Sequence, residues 1–291
     1  MPVMPPISSF TAHELECMTV CPYCGGHGAA DLFVEKGFPH VQCADCSLIY
    51  LRIRVKEEFV HRIYDAPYHS SNNLPYARNV ARKRLKLLGA LQPRTRVVED
   101  GAGNGAFIRA AIDAGLDAVG CDLGKSSVEL ARTSFDVRLV HGPLEALSLP
   151  DGSVDVLASF NLLSHLYQPW TYIRKVARLL APGGRWLCRT GDRSNVMALV
   201  GRGHWSAPEH VFHFTSPLLQ RMTREAGLDW SWQRPAFDSD FPYALAGYGR
   251  PRTSPLRRAV ALASSAVIRS WTALGLPKED IYFVAQRPVA W

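Results

Sequence analysis

The sequence predicts an α/β protein, with a mainly parallel sheet that carries helices on both faces and a small zinc ribbon at its N-terminal end. Three observations lead to this prediction. From Arg96 onwards, strand-like apolar runs alternate with helix-like amphipathic runs, which is the pattern of a parallel sheet with crossover helices. The run Val97–Gly105 places three glycines between such a strand and such a helix. Two CxxC pairs, separated by 18 residues, precede both features.

Composition and charge limit the class of protein. Of the 291 residues, 47% are hydrophobic, so the chain can bury the core of one large domain, or of a domain with a small satellite, and disorder is not predicted. The formal charge of +7 permits an anionic partner such as RNA, a phosphorylated substrate or a membrane surface. The N-terminus lacks the apolar core of an export signal, and the apolar run Ala259–Ile268 is too short to cross a bilayer. We therefore expect a cytoplasmic protein without a transmembrane segment.

Residues 1–50 are interpreted as a loose arm followed by a zinc ribbon. Tandem CxxC pairs at this separation are typical of a tetrahedral zinc site, because each short turn presents two thiolates to one ion. Four thiolates fill the coordination shell, so the zinc is expected to be structural. The alternatives are a redox role for two dithiol pairs, or His27 or His40 in place of a cysteine. The predicted ligands are Cys21, Cys24, Cys43 and Cys46.

Residues 51–93 are predicted to form a helical linker that lies over the cofactor site. Helical periodicity covers Lys56–Tyr64 and Tyr76–Leu91, and a polar break that contains prolines separates the two. The second helix is basic and comes shortly before the first strand of the sheet. Tyr76 in this helix and Tyr68 in the break are candidate wall residues of the ligand site.

Residues 94–291 are predicted to form the main domain, in which strands and helices alternate. The expected strands are Arg96–Asp100, Asp117–Asp122, Val137–His141, Val154–Phe160, Arg185–Thr190, Leu228–Gln233 and Asp280–Gln286. The expected helices are Ala106–Ala114, Ser126–Ser134, Pro169–Leu180 and Pro217–Ala226. Insertions near residues 191–215 and 235–278 interrupt the pattern, and we expect both on the side where an acceptor substrate binds.

The glycine run and a later acid together indicate a ligand that contains a nucleoside. Gly101, Gly103 and Gly105 let the backbone approach a ligand closely, since none of them carries a side chain. Asp122 ends the next predicted strand, where a carboxylate can accept hydrogen bonds from both hydroxyls of a ribose. The order of strand, glycines, helix, strand and acid therefore favours an adenosine-containing cofactor over an ordinary tight turn.

In this order the motifs resemble those of class I S-adenosylmethionine-dependent methyltransferases. The resemblance extends over about residues 80–234 and includes the glycine run, Leu147–Val156, Leu162–Pro169 and Leu179–Gly184. It implies a Rossmann-like class I methyltransferase sheet and S-adenosylmethionine as the cofactor. With the two CxxC pairs, the motif Trp205–Thr215 (WSAPEHVFHFT) is similar to the zinc-ribbon branch of bacterial small-molecule methyltransferases, often associated with natural-product or surface-glycan pathways.

The resemblance implies cofactor-binding roles for single residues. Glu99 takes the acidic position that orients the methionine end of the cofactor through its ammonium group. Asp122 takes the ribose position, and Leu123 is expected to pack on the adenine. Asp100 departs from the family pattern, which has an apolar residue there, and Pro143 stands where an acidic residue often reads the adenine amine. The remaining expected cofactor contacts are Leu144, Glu145, Asn161 and Tyr76.

The expected reaction is methyl transfer to a small-molecule acceptor, a natural-product intermediate or a sugar, at oxygen in preference to carbon or nitrogen. A hydroxyl acceptor must lose its proton, and a histidine suits that role because its ordinary pKa is near neutrality. His210 is the first candidate base and His213 the second, and His165 takes the place of a histidine common in the loop after the fourth strand. The candidates for an aromatic acceptor wall are Trp205, Phe212, Phe214 and Tyr243.

The sequence leaves other functions open. An rRNA base methyltransferase also fits a zinc ribbon and a basic helix, although Asn161–Ser164 lacks the signature of amino-directed base methylation. A cofactor-binding scaffold without catalysis is a second alternative, and other chemistry at the sulfonium is a third. The long insertion at residues 235–278 is expected to cap the acceptor pocket or to form a homodimer surface.

Overall fold

The computed structural model describes residues 4–64, 74–193, 205–236 and 280–289, and it confirms the predicted α/β fold. Its strands are β1 (Leu15–Cys17), β2 (Ala29–Glu35), β3 (Phe38–Cys43), β4 (Ile49–Leu51), β5 (Ile53–Val55), β6 (Arg96–Asp100), β7 (Asp117–Asp122), β8 (Val140–His141), β9 (Val154–Phe160), β10 (Leu180–Gly191), β11 (Phe212–His213), β12 (Asp229–Pro235) and β13 (Asp280–Gln286). Its helices are α1 (His61–Tyr64), α2 (Leu74–Lys86), α3 (Ala106–Asp113), α4 (Lys125–Phe135), α5 (Pro169–Leu179) and α6 (Ser216–Glu225). Within these ranges, no helix combines the length and the apolarity that a membrane crossing requires.

Parts of the two predicted insertions lie outside the described residues. The segments concerned are 194–204 and 237–279. The wall candidates Tyr68 and Tyr243 lie outside the described residues as well. The expectation of a capping segment or a dimer surface at residues 235–278 therefore stays a prediction.

The main sheet has seven strands in the order β12–β13–β10–β9–β6–β7–β8. In this order, the neighbouring strands of the set β10–β9–β6–β7–β8 are parallel. Strand β13 runs antiparallel to both of its neighbours, β12 and β10. The chain adds strands on one side of β6 as far as β8, and then continues on the other side with β9. The carboxyl ends of β6, β7 and β9 therefore meet where the strand order reverses, which is where such sheets bind ligands.

Buried valines and leucines explain why the central strands form a sheet with helices on both faces. Val97 of β6 lies beside Val156 of β9, and both pack in the same apolar cluster as α3. The next pair, Val98 and Leu157, packs in a second cluster with α5 on the opposite face. Because successive side chains of a strand point to opposite faces, both faces of this sheet are covered.

Several elements differ in extent from the prediction, and among them β10 begins at Leu180 instead of Arg185. Helix α2 ends at Lys86, because hydrogen bonds between residues three apart tighten the chain up to Gly89, which has a φ of +70°. The third strand of the main sheet begins only at Val140, since the amide of Val137 donates to the end of α4. The helix expected over Lys56–Tyr64 is divided into a short 3-10 turn and α1.

The N-terminal ribbon, which carries the two CxxC pairs, shares a sheet with the main domain. Strands β2, β3 and β4 are antiparallel, and β11 pairs with the remaining edge of β4. In this pairing Tyr50 lies opposite Phe212, and Ile49 lies opposite His213. Tyr50 and Phe212 also belong to one buried apolar cluster that continues into α5 and β10. The ribbon and the main domain therefore have a common hydrophobic core.

Helix α2 lies against α3 and reaches the carboxyl end of the sheet. Ala81 of α2 is buried in the same cluster as Phe107 of α3. The Arg84 guanidinium lies 4.0 Å from the ring centroid of Phe160, the last residue of β9. Its Nε donates to the hydroxyl of Tyr282 at 2.7 Å. Helix α2 thus borders the carboxyl end of β9.

Candidate active site

The glycine loop connects the carboxyl end of β6 to α3. Gly101, Gly103 and Gly105 have φ values of +70°, +53° and +75°, in the left-handed region that glycine adopts readily. Gly105 also has no room for a side chain, because a Cβ there would lie 2.8 Å from the Cβ of Ala131. The amide of Ala102 donates to the carbonyl of Cys121 at 2.9 Å. The loop therefore lies across the ends of β6 and β7.

Asp122 ends β7 and faces the glycine loop. Its Oδ2 accepts the amide of Gly103 and its Oδ1 accepts the amide of Gly124, each at 2.8 Å. A carboxylate has about four acceptor sites, so both oxygens retain capacity for ligand hydroxyls. The side chain of Leu123 is 70% exposed and presents an apolar surface beside Asp122. The pair offers polar contacts to a ribose and an apolar contact to a base.

Glu99 is a buried acid two residues before the glycine loop. Its side chain is only 3% exposed, and its Oε2 has no hydrogen-bond partner among the described residues. Burial raises the pKa of Glu99 well above its usual range, and the positive charge of Arg84 acts in the opposite direction. A buried carboxylate oxygen without a partner is costly, and an ammonium group of a ligand would satisfy it.

Asp100, the departure from the family pattern, is buried and bonded to a neighbouring strand. The Cys121 thiol donates to its Oδ1, with a distance of 3.3 Å between the sulfur and the oxygen. Burial raises the pKa of Asp100 to about 6, although the hydrogen bond from Cys121 acts in the opposite direction. Asp100 therefore has its hydrogen-bond partner, Cys121, on β7.

The other expected cofactor contacts differ in how far they are presented to a ligand. Asn161 follows β9 at the end of the sheet, with a φ of +60°. Tyr76 is half-buried in the first turn of α2. Glu145 forms an ion pair with Lys175. Leu144 is buried in the core, so its backbone alone is available to a ligand.

The three candidate bases lie in one row of histidines. The ring centroids of His165 and His210 are 4.7 Å apart, and those of His210 and His213 are 6.0 Å apart. A fourth histidine, His40 of the ribbon, continues the row at 5.4 Å from His213. Burial lowers the pKa of His210 and of His213 well below the usual range, and the charge of Arg193 acts in the same direction. Both imidazoles are therefore neutral near pH 7.

A short loop after β9 joins the histidine row to the glycine loop. His165 is the last residue of the 3-10 turn Leu163–His165 that follows β9. The preceding residue, Leu162, packs on the glycine loop, since a Cβ on Gly101 would lie 3.3 Å from its Cδ1. The carbonyl of Ser164 accepts the amide of Val211 at 2.8 Å, which holds the loop against the segment with the other two candidate bases.

Glu209 joins this row, although the sequence analysis did not single it out as a site residue. Its Oε1 lies 3.5 Å from Nδ1 of His165. The side chain is 6% exposed, and Oε1 has no hydrogen-bond partner in the described part of the chain. Burial raises the pKa of Glu209 to about 8, and the charge of Lys36 acts against this shift. The only sequence signal was an acid directly before the candidate base His210.

The ribbon holds the turn that carries Glu209. The Glu35 carboxylate accepts the amide of Ala207 at 2.7 Å, and Nζ of Lys36 donates to the carbonyl of Ala207 at 3.2 Å. The Trp205 ring packs on Phe33 of β2, with the ring centroids 4.7 Å apart. Two other candidates for the aromatic wall, Phe212 and Phe214, are buried in the core.

The four ribbon cysteines converge at one point. The Sγ atoms of Cys21 and Cys46 are 3.6 Å apart, and so are those of Cys24 and Cys43. Tetrahedral zinc with bonds of about 2.3 Å places neighbouring sulfurs ~3.8 Å apart, which fits this spacing. Gly25 follows Cys24 with a φ of +75°, as a tight turn at this position requires. The donor set could hold one zinc ion.

A comparison with protein families finds one model, described as a methyltransferase domain, that matches residues 98–188. This range begins in β6 and ends in β10. It therefore contains the glycine loop, Asp122 and the loop after β9. The ribbon and the turn that carries Glu209 lie outside it.

Known proteins are similar to this chain in sequence, and a solved structure is similar to it in fold. A Mycolicibacterium smegmatis protein named "probable S-adenosylmethionine-dependent methyltransferase" is 30% identical over 134 residues, which cover 46% of this chain and 51% of that protein. The chain thus spans about half the length of that relative. A ubiquinone biosynthesis O-methyltransferase of Bordetella avium is 31% identical over 164 residues, which cover 51% of this chain and 68% of that protein. The fold is similar to phosphoethanolamine N-methyltransferase 2 of Haemonchus contortus in complex with S-adenosylmethionine, with a TM-score of 0.54 and 15% identity, over 82% of this chain and 63% of that one.

Proposed function

Because the chain belongs to the family of S-adenosylmethionine-dependent methyltransferases, we propose that it transfers a methyl group to a hydroxyl oxygen of a small-molecule acceptor. The main support is the loop after β9, which packs on the glycine loop at Leu162 and carries His165 of the histidine row. An acceptor bound along this row would lie next to the cofactor. The O-methyltransferase name of the Bordetella relative supports oxygen as the acceptor atom.

On the cofactor side, the proposal assigns different ends of S-adenosylmethionine to different groups. Glu99 binds the ammonium group, which would satisfy its Oε2. Asp122 binds the ribose hydroxyls while it holds the amides of Gly103 and Gly124. Leu123 covers one face of the adenine. The bound cofactor supplies a methyl group that is already activated on a sulfonium.

On the acceptor side, the residues must position a hydroxyl, exclude water and receive its proton. We propose His210 as the base, because it lies between His165 and His213 and is half-buried. Trp205 forms an apolar wall at the ribbon end of the row. A phenol or a sugar hydroxyl of a natural-product intermediate matches this combination of one aromatic surface and several polar groups.

The proposed zinc ion of the ribbon has a structural role. Four thiolates would occupy all tetrahedral positions, so no position remains for a substrate. The pairing of β11 with β4 and the contacts of Glu35 and Lys36 with Ala207 connect the ribbon to the segment that carries His210. The ion would therefore stabilise the acceptor side without contacting the acceptor.

The test is methyl transfer from isotopically labelled S-adenosylmethionine to a panel of phenols, catechols and nucleotide sugars, with products identified by mass spectrometry. We expect a methyl ether from one class, and a fall in kcat of about 100-fold or more in His210→Gln. The affinity for S-adenosylmethionine, measured by calorimetry, should be the same in His210→Gln. His61→Gln, which changes an exposed histidine outside the row, is the matched control.

Two results would contradict the proposal. If the wild-type protein does not bind S-adenosylmethionine, both the proposed cofactor and the proposed reaction are contradicted. Cofactor binding without transfer to any small acceptor, combined with salt-dependent binding of RNA, would favour the rRNA methyltransferase alternative.

A further inference from the structure

We propose that His165, Glu209 and His210 form a binding site for a divalent transition-metal ion, distinct from the zinc site of the ribbon. Each residue offers one ligand atom, and these atoms all lie within 4.8 Å of one another. In the described part of the chain, one other group of metal-ligating side chains converges to this degree, and it consists of the four ribbon cysteines. The proposed ion would lie on the acceptor side of the active site.

Two segments that are bonded to each other hold the three ligands in place. His165 ends the turn after β9, and the hydrogen bond between residues 164 and 211 joins this turn to the second segment. In that segment, the carbonyl of Ser206 accepts the amides of Glu209 and His210 at 2.9 and 3.0 Å. The ligands are therefore brought together by the backbone, before any ion binds.

The Glu209 carboxylate is an independent sign that a cation binds here. It is 94% buried, since only 6% of the side chain is exposed, and its Oε1 points towards His165 without a hydrogen-bond partner in the described ranges. A buried carboxylate in this state is costly. The nearby ammonium of Lys36 donates to the carbonyl of Ala207. A metal ion bound between Glu209 and the two imidazoles would satisfy Oε1 and favour the ionised form of the acid.

The ligand types indicate the class of ion. Two imidazoles and one carboxylate are a common set for Zn²⁺, Mn²⁺ and Fe²⁺, and three protein ligands leave at least one position open. His165 and His210 are only partly buried, so a small oxygen ligand can reach the open position. A hydroxyl bound there would lose its proton more readily. The positive charges of Arg193 and Lys36 oppose the ion, and we therefore expect a moderate affinity.

This inference deepens the proposed function and rests on it for the identity of the oxygen ligand, but the binding of the ion does not depend on methyl transfer. With the ion bound, His210 would act as a ligand, and an acceptor hydroxyl that binds the ion would release its proton to solvent water. In the protein without the ion, His210 remains the base. Binding of the ion and binding of the cofactor are measured separately, so that either can fail alone.

Mn²⁺ is the probe of choice, because it prefers nitrogen and oxygen ligands and competes poorly for the thiolates of the ribbon. The zinc-loaded full chain is titrated with Mn²⁺, and the free ion is measured by electron paramagnetic resonance. We expect one Mn²⁺ ion per chain, with an affinity lower by about tenfold or more in Glu209→Gln and in His165→Asn, since loss of even an outer-shell partner has that effect. His61→Asn should keep the affinity of the wild type.

Each outcome decides between the two proposals. Wild-type protein that binds no Mn²⁺, or equal affinity in the wild type, Glu209→Gln and His165→Asn, would overturn the cation site, while cofactor binding in the same samples would leave the proposed function intact. Mn²⁺ binding in a chain that does not bind S-adenosylmethionine would support the cation site and contradict the proposed function. Calorimetry with S-adenosylmethionine on each variant shows whether its fold is preserved, and if Glu209→Gln is misfolded, His165→Asn decides.

Discussion

The backbone amide of Gly103 donates to the carboxylate of Asp122 at 2.8 Å, so the glycine loop and the end of β7 form one hydrogen-bonded unit. The second oxygen of the same carboxylate accepts the amide of Gly124, just before α4. Asp122 thus shapes the loop in the absence of any ligand. In our proposal it also binds the ribose, so one side chain couples the form of the loop to cofactor binding.

Asp122→Asn is expected to weaken the binding of S-adenosylmethionine by about tenfold or more. The amide of asparagine has one acceptor oxygen where the carboxylate has two, so a loop amide or a ribose hydroxyl loses its partner. Isothermal titration calorimetry measures the change. Asp117→Asn, at the exposed start of the same strand, is the matched control and should bind like the wild type. Equal affinity in both variants would contradict the role of Asp122.

Glu99→Ala and Asp100→Leu are expected to have opposite outcomes, although the two acids are adjacent. Glu99→Ala removes the oxygen proposed to bind the ammonium and should reduce the affinity for S-adenosylmethionine by about tenfold or more. Asp100→Leu removes a group that bonds to Cys121 instead, and should leave this affinity unchanged. Both are measured in one series of calorimetric titrations. A wild-type affinity in Glu99→Ala would refute the assignment of the glycine loop.

The free energy of unfolding is expected to fall as the pH rises from the ordinary pKa of an aspartate to the raised pKa of the buried Asp100. Burial raises the pKa of Asp100 from its ordinary value of 3.8 to about 6. Between these values the unfolded chain releases a proton that the folded protein keeps, so a rise in pH favours unfolding, and above about pH 6 the loss is complete. The full effect on the free energy of unfolding is about 3 kcal/mol.

Urea unfolding of the wild type and of Asp100→Asn measures this pH effect between about pH 4 and about pH 7. The free energy of unfolding of the wild type should decrease relative to that of the variant as the pH rises. Curves that stay parallel over the whole range would show that Asp100 titrates like an exposed acid.

Gly105→Ala is expected to lower the free energy of unfolding more than Gly152→Ala, by roughly 1–3 kcal/mol. Both glycines have a left-handed backbone, with φ values of +75° and +70°, so both variants have a similar conformational strain. Only at Gly105 would the added Cβ approach another atom closely, at 2.8 Å from Ala131. Thermal or urea unfolding gives the difference. Equal losses of the free energy of unfolding in the two variants would show that the close approach of the added Cβ to Ala131 does not destabilise the protein.

Removal of the proposed zinc ion is expected to loosen the segment that carries His210 as well as the ribbon. Strand β11 is paired with β4, so the order of this segment depends on the ribbon. Hydrogen exchange read by mass spectrometry should increase in peptides that cover residues 38–51 and 205–214 after chelation or in Cys43→Ser. Peptides that cover 96–122 should be protected as before, and Cys17→Ser, outside the cluster, should change nothing. Unchanged protection of 205–214 would contradict this coupling.

Local patterns were sufficient to predict most of the fold. The strands Arg96–Asp100, Asp117–Asp122 and Val154–Phe160 have the boundaries expected from the sequence. In each case an apolar run ends at an acid, a glycine or an asparagine, so the information lies within a few residues. The spacing of the CxxC pairs is equally local, because each pair is held by its own turn, and the structure brings all four cysteines together.

The sequence by itself therefore determined the fold class, the family resemblance, the glycine loop and the cysteine cluster. Only the tertiary structure decided that β11 completes the sheet of the ribbon, that His40 extends the histidine row, and that Glu209 lies beside His165. A two-residue strand has no periodicity of its own, and the burial of an acid depends on segments far away in the chain. Contacts of this kind arise from how the elements pack, which no local pattern of residues encodes.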